Sequence, residues 1–309
     1  MELQQKISWP PAGTYVLAVS GGVDSVVLLD LLACKAGPCN WVVAHFDHGM
    51  RQSSDQDRRF VAELAKKYNL PFEYREGKLG PETSEGTARC ARYTFLESVQ
   101  KKHRANGIVT AHHLDDRIET LLLNLERGTG RYGLAPFNSS VIRPLRYVAK
   151  QDLVNYAKQK QLIWREDQTN SDTRYRRNYI RHKVIPKLFT EQPSLKSGLT
   201  EAIEYFEQTN LALDAHLESL VEEIADAKTN KIILRRHKLI ILEPLLCRQL
   251  LYYLLRLLLP NIQVKEFKLV RLEHFCKTAR PGKRLQFETG LSVISQKQAI
   301  IIELTVVVD

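Results

Sequence analysis

Apolar and polar positions follow two alternating patterns in the first half of the chain. Four short β-rich runs are separated by helical patterns, and these runs are TYVLAV (14–19), WVVAHF (41–46), PFEYR (71–75) and GIVTA (107–111). Strands that alternate with helices favour right-handed crossovers between parallel neighbours. We therefore predict a doubly wound α/β fold, with a mostly parallel sheet and helices on both of its faces.

The pattern changes after this half and becomes mainly helical. An amphipathic helix is predicted over 149–160, and a polar turn, REDQTNSD (165–172), leads into RYRRNYIRHKVIPKL (174–188). Further helices are predicted over 199–227, 245–259 and 264–278, and the tail is predicted to form two or three strands around a Glu-Thr-Gly turn. We therefore expect two domains, a catalytic one over 1–195 and a smaller, mainly helical one over 196–309 that ends in short strands.

Composition agrees with a folded chain of this size. The chain has 309 residues, of which 44% are hydrophobic and 26% are charged, so a largely disordered or fibrous protein is excluded. Its formal net charge is +10, with a sequence pI near 9.3. An excess of basic side chains favours a polyanionic partner, and nucleic acid is the leading candidate.

Cysteine spacing and the apolar segments indicate a cytoplasmic protein. The five cysteines form no CxxC pair and are odd in number, which excludes a complete disulfide framework and a zinc ribbon. The first residues lack the apolar core of a signal peptide. The most apolar stretch, 239–259, contains Glu243, Arg248 and Arg256, so we interpret it as a buried helix and expect no membrane partner.

The strongest functional motif follows the first predicted strand and precedes an apolar helix. It consists of Ser20, Gly21, Gly22, Val23, Asp24 and Ser25. Paired glycines let several amide N–H groups approach one point at a helix N-terminus, and the serine hydroxyls add donors, which is typical of an anion site. A carboxylate beside bound phosphates needs a cation, so Asp24 indicates magnesium together with a nucleoside triphosphate. The alternative is an ordinary strand-to-helix turn.

Two further polar clusters follow the second and fourth predicted strands. They are HFDHGMR (45–51) and HHLDDRIET (112–120). Because ligands of such sheets bind beyond the carboxyl ends of the strands, residues after Val19, Phe46 and Ala111 should converge on one crevice. Asp115, Asp116 and Glu119 would face the phosphate loop there, and their charges call for cations, magnesium and a substrate ammonium. Alternatively Asp115 caps its helix and the histidines pack at the sheet edge.

A GxGxxG match also occurs over Gly128–Gly133, as GTGRYG. It follows a helical pattern, whereas a dinucleotide-binding motif follows a strand. We therefore do not interpret it as a nucleotide site. No Walker A sequence, GxxxxGK[ST], occurs in the chain.

Taken together, the motifs resemble a known enzyme family. The SGGVDS loop is similar to that of the ATP pyrophosphatases. In order and spacing, SGGVDS, HFDHGMR, RCARY (89–93), AHHLDDRIETLLLNLERGTGRYGL, IRPL (142–145) and WREDQTNSDTRYRRNYIRHKVIPKL resemble the tRNA(Ile)-lysidine synthase family over roughly 14–188. The resemblance implies an adenine nucleotide alpha hydrolase-like fold. It also implies ATP-dependent adenylation of the wobble cytidine of a CAU-anticodon tRNA(Ile), followed by displacement of AMP by the amine of free lysine.

The resemblance also implies site residues. Asp24, Asp115, Asp116 and Glu119 would be catalytic, with Asp24 and Asp116 holding magnesium, and Ser20–Ser25 would hold ATP. Carboxylates of this set could hold the lysine ammonium and accept its proton. Arg89 and Arg92, three apart on a helix, could steady the adenylate phosphate, although a solvated helical face fits them equally well.

A basic cluster lies near the end of the first predicted domain. Six cations and no acid occur in 174–187, with Tyr175, Tyr179 and His182 between them. Phosphate contacts and base stacking by such a segment fit an RNA loop, and a solvated helix is the alternative. The resemblance implies that Arg177, Asn178 and Arg181, together with Arg174, orient the anticodon.

Two other functions fit the same motifs. A tRNA thiolase would use sulfur to displace AMP, but the absence of paired cysteines counts against it. A non-catalytic RNA-binding protein would not need Asp24, Asp115, Asp116 and Glu119. The family has longer members, so this chain resembles its short form. The sequence leaves the oligomeric state open, with a homodimer among the options.

Overall fold

The computed structural model describes most of the chain. The described residues are 2–35, 37–47, 49, 54–77, 80, 83, 85–136, 141–165, 172–228, 230–260, 262, 264–287 and 290–304. His48, Met50 and Arg51 of the second motif lie outside this set, as do 166–171 of the polar turn and the Glu288–Thr289 pair of the predicted tail turn.

The described chain divides into two compact units. Unit 1 comprises Met1–Leu123 and Phe137–Thr200, and unit 2 comprises Asn124–Pro136 and Glu201–Asp309. The assignment of 1–195 and 196–309 to two domains stays a prediction. No helix in the described parts of either unit has both the length and the apolar character needed to cross a bilayer.

Unit 1 is built on a four-stranded parallel sheet. Its strands are β1 (Gly13–Ala18), β2 (Cys39–Asp47), β3 (Phe72–Glu76) and β4 (Gly107–Val109), in the order β3-β2-β1-β4. Strand β1 is central and pairs in parallel with both β2 and β4, with Val16 opposite Val42 and Ile108. The predicted parallel sheet is thus confirmed, and its apolar runs are those of strands buried on both faces.

Helices cover both faces of this sheet. The helices of unit 1 are α1 (Glu2–Gln5), α2 (Val23–Cys34), α3 (Ser54–Lys67), α4 (Glu85–Lys102), the start of α5 (Leu114–Arg127), α7 (Lys150–Gln159), α8 (Arg176–Tyr179), a π-helix (Ile180–Val184), α9 (Ile185–Glu191) and the start of α10 (Leu195–Ile224). Leu17 and Val43 pack with residues of α2, α3 and α7 in one core cluster. Val16 and Val42 pack with α4 on the opposite face. The alternating directions of side chains along a strand separate the two layers.

Unit 2 combines helices with an antiparallel sheet. Its helices are the remainder of α5, α6 (Arg131–Leu134), the remainder of α10, α11 (Arg236–Ile240), α12 (Pro244–Leu258) and α13 (Glu266–Thr278). Its strands are β5 (Ala225–Lys228), β6 (Lys231–Arg235), β7 (Arg284–Gln286), β8 (Leu291–Ser295) and β9 (Ala299–Leu304), in the order β5-β6-β9-β8-β7. Helices α12 and α13 pack in one core cluster with β6, β8 and β9.

One part of the secondary-structure prediction is wrong. Residues 225–227 were expected to continue a helix, but helix α10 ends at Ile224 and these residues form β5. Strand β6 was not predicted either; its Ile232 and Leu234 are buried, while the flanking residues are more exposed. Strand β6 pairs with the neighbouring β5 and with the distant β9. A strand between two partners depends on its packing context, so the local pattern of five residues identifies it poorly.

The GTGRYG segment belongs to unit 2 and has a packing role there. The Arg131 guanidinium bonds the Asp214 carboxylate, the Gln249 side chain and Asn210. The ring of Tyr132 packs edge-on against Tyr252 in the core of the unit. Helix, rather than strand, precedes this segment, as the sequence pattern predicted.

Candidate active site

The phosphate loop is shaped by its own serines. The Ser25 hydroxyl is buried and accepts the backbone N–H groups of Ser20 and Gly21, each at 3.2 Å, and donates to the Gly22 carbonyl at 2.9 Å. Gly21 has φ +90°, a conformation that side-chain-bearing residues rarely adopt. Helix α2 begins at Val23, so the loop lies at the positive end of a 12-residue helix. The loop is therefore organised for an anion.

A cavity of about 380 Å³ opens beside this loop. It lies past the carboxyl ends of β1, β2 and β4, so the predicted convergence of the residues after these strands is confirmed. Its lining residues are Ala18, Val19, Ser20, Gly22, Asp24, Ser25, Ala44, His45, Phe46, Asp47, Asp57, Arg92, Leu96, Thr110, Ala111, His112 and Asp116. The lining therefore combines the phosphate loop, carboxylates from four elements (α2, β2, α3 and α5) and one arginine.

Two of the four predicted catalytic acids line the cavity and lie next to the same histidine. The Nε2 atom of His113 is 3.7 Å from Asp24 Oδ2 and 3.4 Å from Asp116 Oδ2. His113 is buried, and its backbone N–H donates to Asp116 at 3.0 Å. The first turn of α5 is thereby fixed opposite the first turn of α2, with both carboxylates directed toward the cavity.

The other two acids lie outside the cavity lining and bind protein cations. Asp115 accepts the Lys196 ammonium at 2.8 Å and the backbone N–H of Lys150 at 2.7 Å. It therefore caps the start of α7, whereas the alternative interpretation had it cap its own helix. Glu119 is buried and accepts Nε and Nη2 of Arg181 at 2.6 and 2.8 Å.

Protein cations also hold the two cavity acids. Lys150 Nζ lies 2.7 and 2.8 Å from the two carboxylate oxygens of Asp24, and Arg181 Nη2 lies 2.9 Å from Asp116 Oδ1. Burial alone raises the pKa of Asp116, but His113, Arg181 and the hydrogen bond from the His113 amide hold it below its ordinary value. This carboxyl is therefore ionised at neutral pH. Sequence reasoning missed Lys150, because a single lysine at a helix start carries no motif.

The arginine side of the cavity has a different character. Arg92 lines the cavity, while Arg89 is exposed, and both guanidinium groups lie over the Tyr93 ring, at 4.9 Å for Arg89 and 5.4 Å for Arg92. Burial lowers the pKa of Arg92, and the charges of Arg89 and Arg177 lower it further. Among the described residues neither Arg89 nor Arg92 forms an ion pair, so this wall is suited to an anion from solution.

His112 joins the two sides of the cavity. Its Nδ1 lies 2.8 Å from the Thr110 hydroxyl. Burial lowers the pKa of His112 to about 3; Asp116 opposes the shift, and Arg143, Arg92 and Arg89 add to it. The ring is therefore neutral at physiological pH, so it can offer a hydrogen bond but does not carry a charge.

We expect the His112 ring to stay neutral from pH 8 to pH 5. The folded protein resists protonation of this ring, whereas the unfolded chain does not. The contribution of the neutral His112 ring to the free energy of unfolding is therefore full above the ordinary histidine pKa and declines as the pH falls from about 6.5 toward 3. Two-dimensional NMR of the imidazole carbons can follow this titration. The signal of His112 is identified by its absence from the spectrum of His112→Gln. A midpoint near 6.5 would contradict the buried, arginine-flanked environment.

The basic cluster of residues 174–187, called the basic segment below, has an inward and an outward face. Arg177 Nη2 donates to the Thr120 hydroxyl at 2.7 Å, Asn178 donates to the Asp172 carbonyl at 3.0 Å, and Arg181 binds the acids of α5. The outward side chains are exposed, and they are Arg174, Tyr175, Arg176, Tyr179, His182, Lys183 and Lys187. Of the predicted RNA-contacting residues, Arg174 thus faces solvent, whereas Arg181 is engaged within unit 1.

Comparison with known proteins agrees with this site. Residues 1–188 match the model of the PP-loop domain. The chain is 38% identical over 203 residues to a tRNA(Ile)-lysidine synthase from Thermosipho africanus, covering 61% of this chain and 47% of the relative. It is 35% identical over 243 residues to a tRNA(Ile)-lysidine synthase from Geobacter sulfurreducens, covering 74% and 49%. The chain spans about half the length of these curated relatives.

A solved structure shares the fold. The U34-tRNA thiolase NcsA from Methanococcus maripaludis superposes with a TM-score of 0.56 at 14% identity, covering 67% of this chain and 78% of that chain. This likeness supports the doubly wound architecture of an adenine nucleotide alpha hydrolase-like fold. With the phosphate loop, the cavity and the match over more than half of its residues, the chain belongs to the PP-loop domain family.

Proposed function

We propose that this protein is a tRNA(Ile)-lysidine synthase, an ATP-dependent ligase that forms a C–N bond. The observation that carries the proposal is the cavity itself, which brings the phosphate loop, the acidic start of α5 and Arg92 to one place. The relatives named tRNA(Ile)-lysidine synthase, at 35–38% identity, support the choice of reaction. The substrates would be ATP, free lysine and a tRNA(Ile) with a CAU anticodon.

The reaction has two steps in this proposal. The C2 oxygen of the wobble cytidine attacks the α-phosphorus of ATP, and the bond to pyrophosphate breaks. The unprotonated amine of lysine then attacks C2, the C2–O bond breaks, and AMP leaves with that oxygen. Adenylation is needed because the ring oxygen is a poor leaving group, whereas AMP is a stable anion.

The residues of the cavity have distinct parts in this scheme. The loop from Ser20 to Ser25 would bind the β and γ phosphates through amides and hydroxyls at the start of α2. Arg92 would bind the phosphate that carries the developing charge, and neutral His112 would orient a substrate hydroxyl or amide. Asp116, the acid of α5 that lines the cavity, would attract the lysine ammonium, while Asp115 and Glu119, paired with Lys196 and Arg181, would position α5.

Magnesium fits the acids at the cavity. Asp24 and Asp116 both lie within 4 Å of His113 Nε2, and Ser20 and Ser25 line the same wall, so the available donors are the oxygen ligands that magnesium prefers. Magnesium bound there with the triphosphate would neutralise phosphate charge. Lys150 and Arg181 supply positive charge to the same two carboxylates in this structure.

The tRNA would be bound by the outward face of the basic segment. Exposed arginines and tyrosines alternate there, which suits phosphate contacts and stacking on unpaired anticodon bases. The net charge of +10 supports the same partner.

The test is product analysis after incubation with ATP, magnesium and CAU-anticodon tRNA(Ile). With lysine present, nucleoside mass spectrometry should show lysidine at the wobble position, and pyrophosphate and AMP should appear in equal amounts. A thiolated nucleoside formed with a sulfur donor would instead indicate a thiolase. Tight tRNA binding without pyrophosphate release would indicate a non-catalytic RNA-binding protein.

Arg92 and Arg89 form a matched pair for testing the anion wall. We expect Arg92→Ala to slow tRNA adenylation by roughly 10²-fold, since one preorganised donor to a developing charge is worth that much. Arg89→Ala should have a smaller effect, because Arg89 is exposed and lies outside the cavity lining. Single-turnover transfer of labelled AMP measures both. Equal, small losses of the AMP-transfer rate in both variants would show that Arg92 does not take part in adenylation.

A further inference from the structure

The phosphate loop of this site contains no lysine, but the fold brings one to it. Lys150 is the first residue of α7 and lies 126 positions after Asp24, yet its ammonium contacts both carboxylate oxygens of Asp24, at 2.7 and 2.8 Å. Helix α7 packs against α2 in the same core cluster, through Leu153 and Ala157. The lysine is therefore held beside the start of α2 by packing between two helices.

The main chain of Lys150 is fixed, while its ammonium is accessible. The backbone N–H donates to Asp115 at 2.7 Å, which anchors the start of α7. The side chain is 41% exposed and Asp24 is 28% exposed, so the ammonium is accessible to solvent beside an acid that lines the cavity. A lysine ammonium on a flexible four-carbon stem can change partner without moving the backbone.

Electrostatics gives a reason for such a change. Asp24 lines the cavity beside an anion-binding loop, and its negative charge would repel phosphate groups. A cation that neutralises Asp24 before nucleotide arrives removes that repulsion. The same cation then lies within reach of the phosphate oxygens that the loop binds.

We propose that Lys150 is the phosphate-binding lysine of this site, exchanging its contact with Asp24 for the β and γ phosphates of bound ATP. This inference rests on the proposed function for the identity of the nucleotide. Lys150 would then have the part that a lysine within the loop has in Walker A proteins. Asp24, released from Lys150, would become available to magnesium.

The test compares the affinities of Lys150 variants for ATP and AMP by calorimetry, in the presence of magnesium and without tRNA. Lys150→Met should weaken ATP binding about 10- to 100-fold, the loss of one charge-assisted hydrogen bond. Its affinity for AMP should change by less than about twofold, because AMP has no β and γ phosphates. Lys150→Arg should retain most of the ATP affinity.

Lys6→Met is the matched control. It removes a lysine whose ammonium lies 2.9 Å from Asp152. Asp152 is on α7, as Lys150 is, and neither Lys6 nor Asp152 lines the cavity. This variant should bind ATP as the wild type does. If Lys150→Met fails to fold, Lys150→Gln takes its place.

Two results would overturn the inference. Unchanged ATP affinity in Lys150→Met would show that Lys150 does not bind the phosphates, and equal losses for ATP and AMP would show a general distortion of the site. Absence of ATP binding by the wild type would contradict the proposed function itself, so the two failures can be told apart.

Discussion

Replacement of Asp24 by asparagine is expected to lower ATP-dependent pyrophosphate release by at least about 10²- to 10³-fold. The substitution keeps the shape of the side chain but removes the charge that faces the phosphate loop, His113 and Lys150. Neither the proposed magnesium site nor the balance of charge at the loop would survive this loss. The measurement is the rate of pyrophosphate release with CAU-anticodon tRNA(Ile) and saturating ATP.

The fold should survive this substitution. Asp24 is partly exposed and lies at the surface of the cavity, so its neutral analogue leaves no buried charge unpaired. Asp152→Asn provides the control. Asp152 lies on α7 outside the cavity, and the substitution removes the carboxylate that binds Lys6. Wild-type rates are expected for this control. A rate within threefold of wild type for Asp24→Asn would remove Asp24 from the reaction.

Replacement of Arg181 by alanine is expected to destabilise unit 1 by about 2–3 kcal/mol. Arg181 makes two short bonds to buried Glu119 and one to Asp116, and its loss leaves the Glu119 charge without its main partner. Breaking a buried pair from one side costs more than the pair contributes, because the remaining charge stays desolvated. A loss of tRNA binding by this variant would therefore include a contribution from unfolding.

Tryptophan fluorescence during urea unfolding can measure this change for unit 1 alone. The three tryptophans, Trp9, Trp41 and Trp164, all belong to unit 1. The double variant Arg181→Met, Glu119→Gln should be less destabilised than the sum of its single variants, since it removes both charges together. Additive losses would contradict the ion pair.

Arg174→Ala separates stability from RNA binding. Its side chain is 88% exposed and forms an ion pair with Asp172. We expect wild-type stability for this variant, weaker tRNA binding, and a shallower dependence of that binding on salt. Such a result would assign RNA contact to the outward face of the basic segment.

The parts of the fold that sequence pattern predicted are those held by local signals. The strands β1, β2, β3 and β4 are short apolar runs bounded by polar turns, and their alternation with helices determined the parallel sheet and its helical layers. Strand β6 was missed because one of its partners, β5, was predicted as the end of a helix, and the other, β9, lies about 70 residues further along the chain.

The same division holds at the candidate site. The SGGVDS loop is one continuous segment, so its glycines and its place before α2 indicated an anion site from sequence alone. Parallel strands bring their carboxyl ends to one edge, so the meeting of Asp24 with the start of α5 also followed from pattern. The roles of Asp115 and Glu119 did not, because spacing along a helix shows which residues share a face but not what lies opposite that face.

The α/β class, the phosphate loop, the acidic helix start and the basic segment could thus be predicted, since each depends on neighbouring residues. Which cation faces which acid depends on the folded chain. It paired Lys150 with Asp24, Lys196 with Asp115 and Arg181 with Glu119. These partners are 62 to 126 residues apart, and the packing of whole helices, rather than any local preference, brings them within hydrogen-bonding distance.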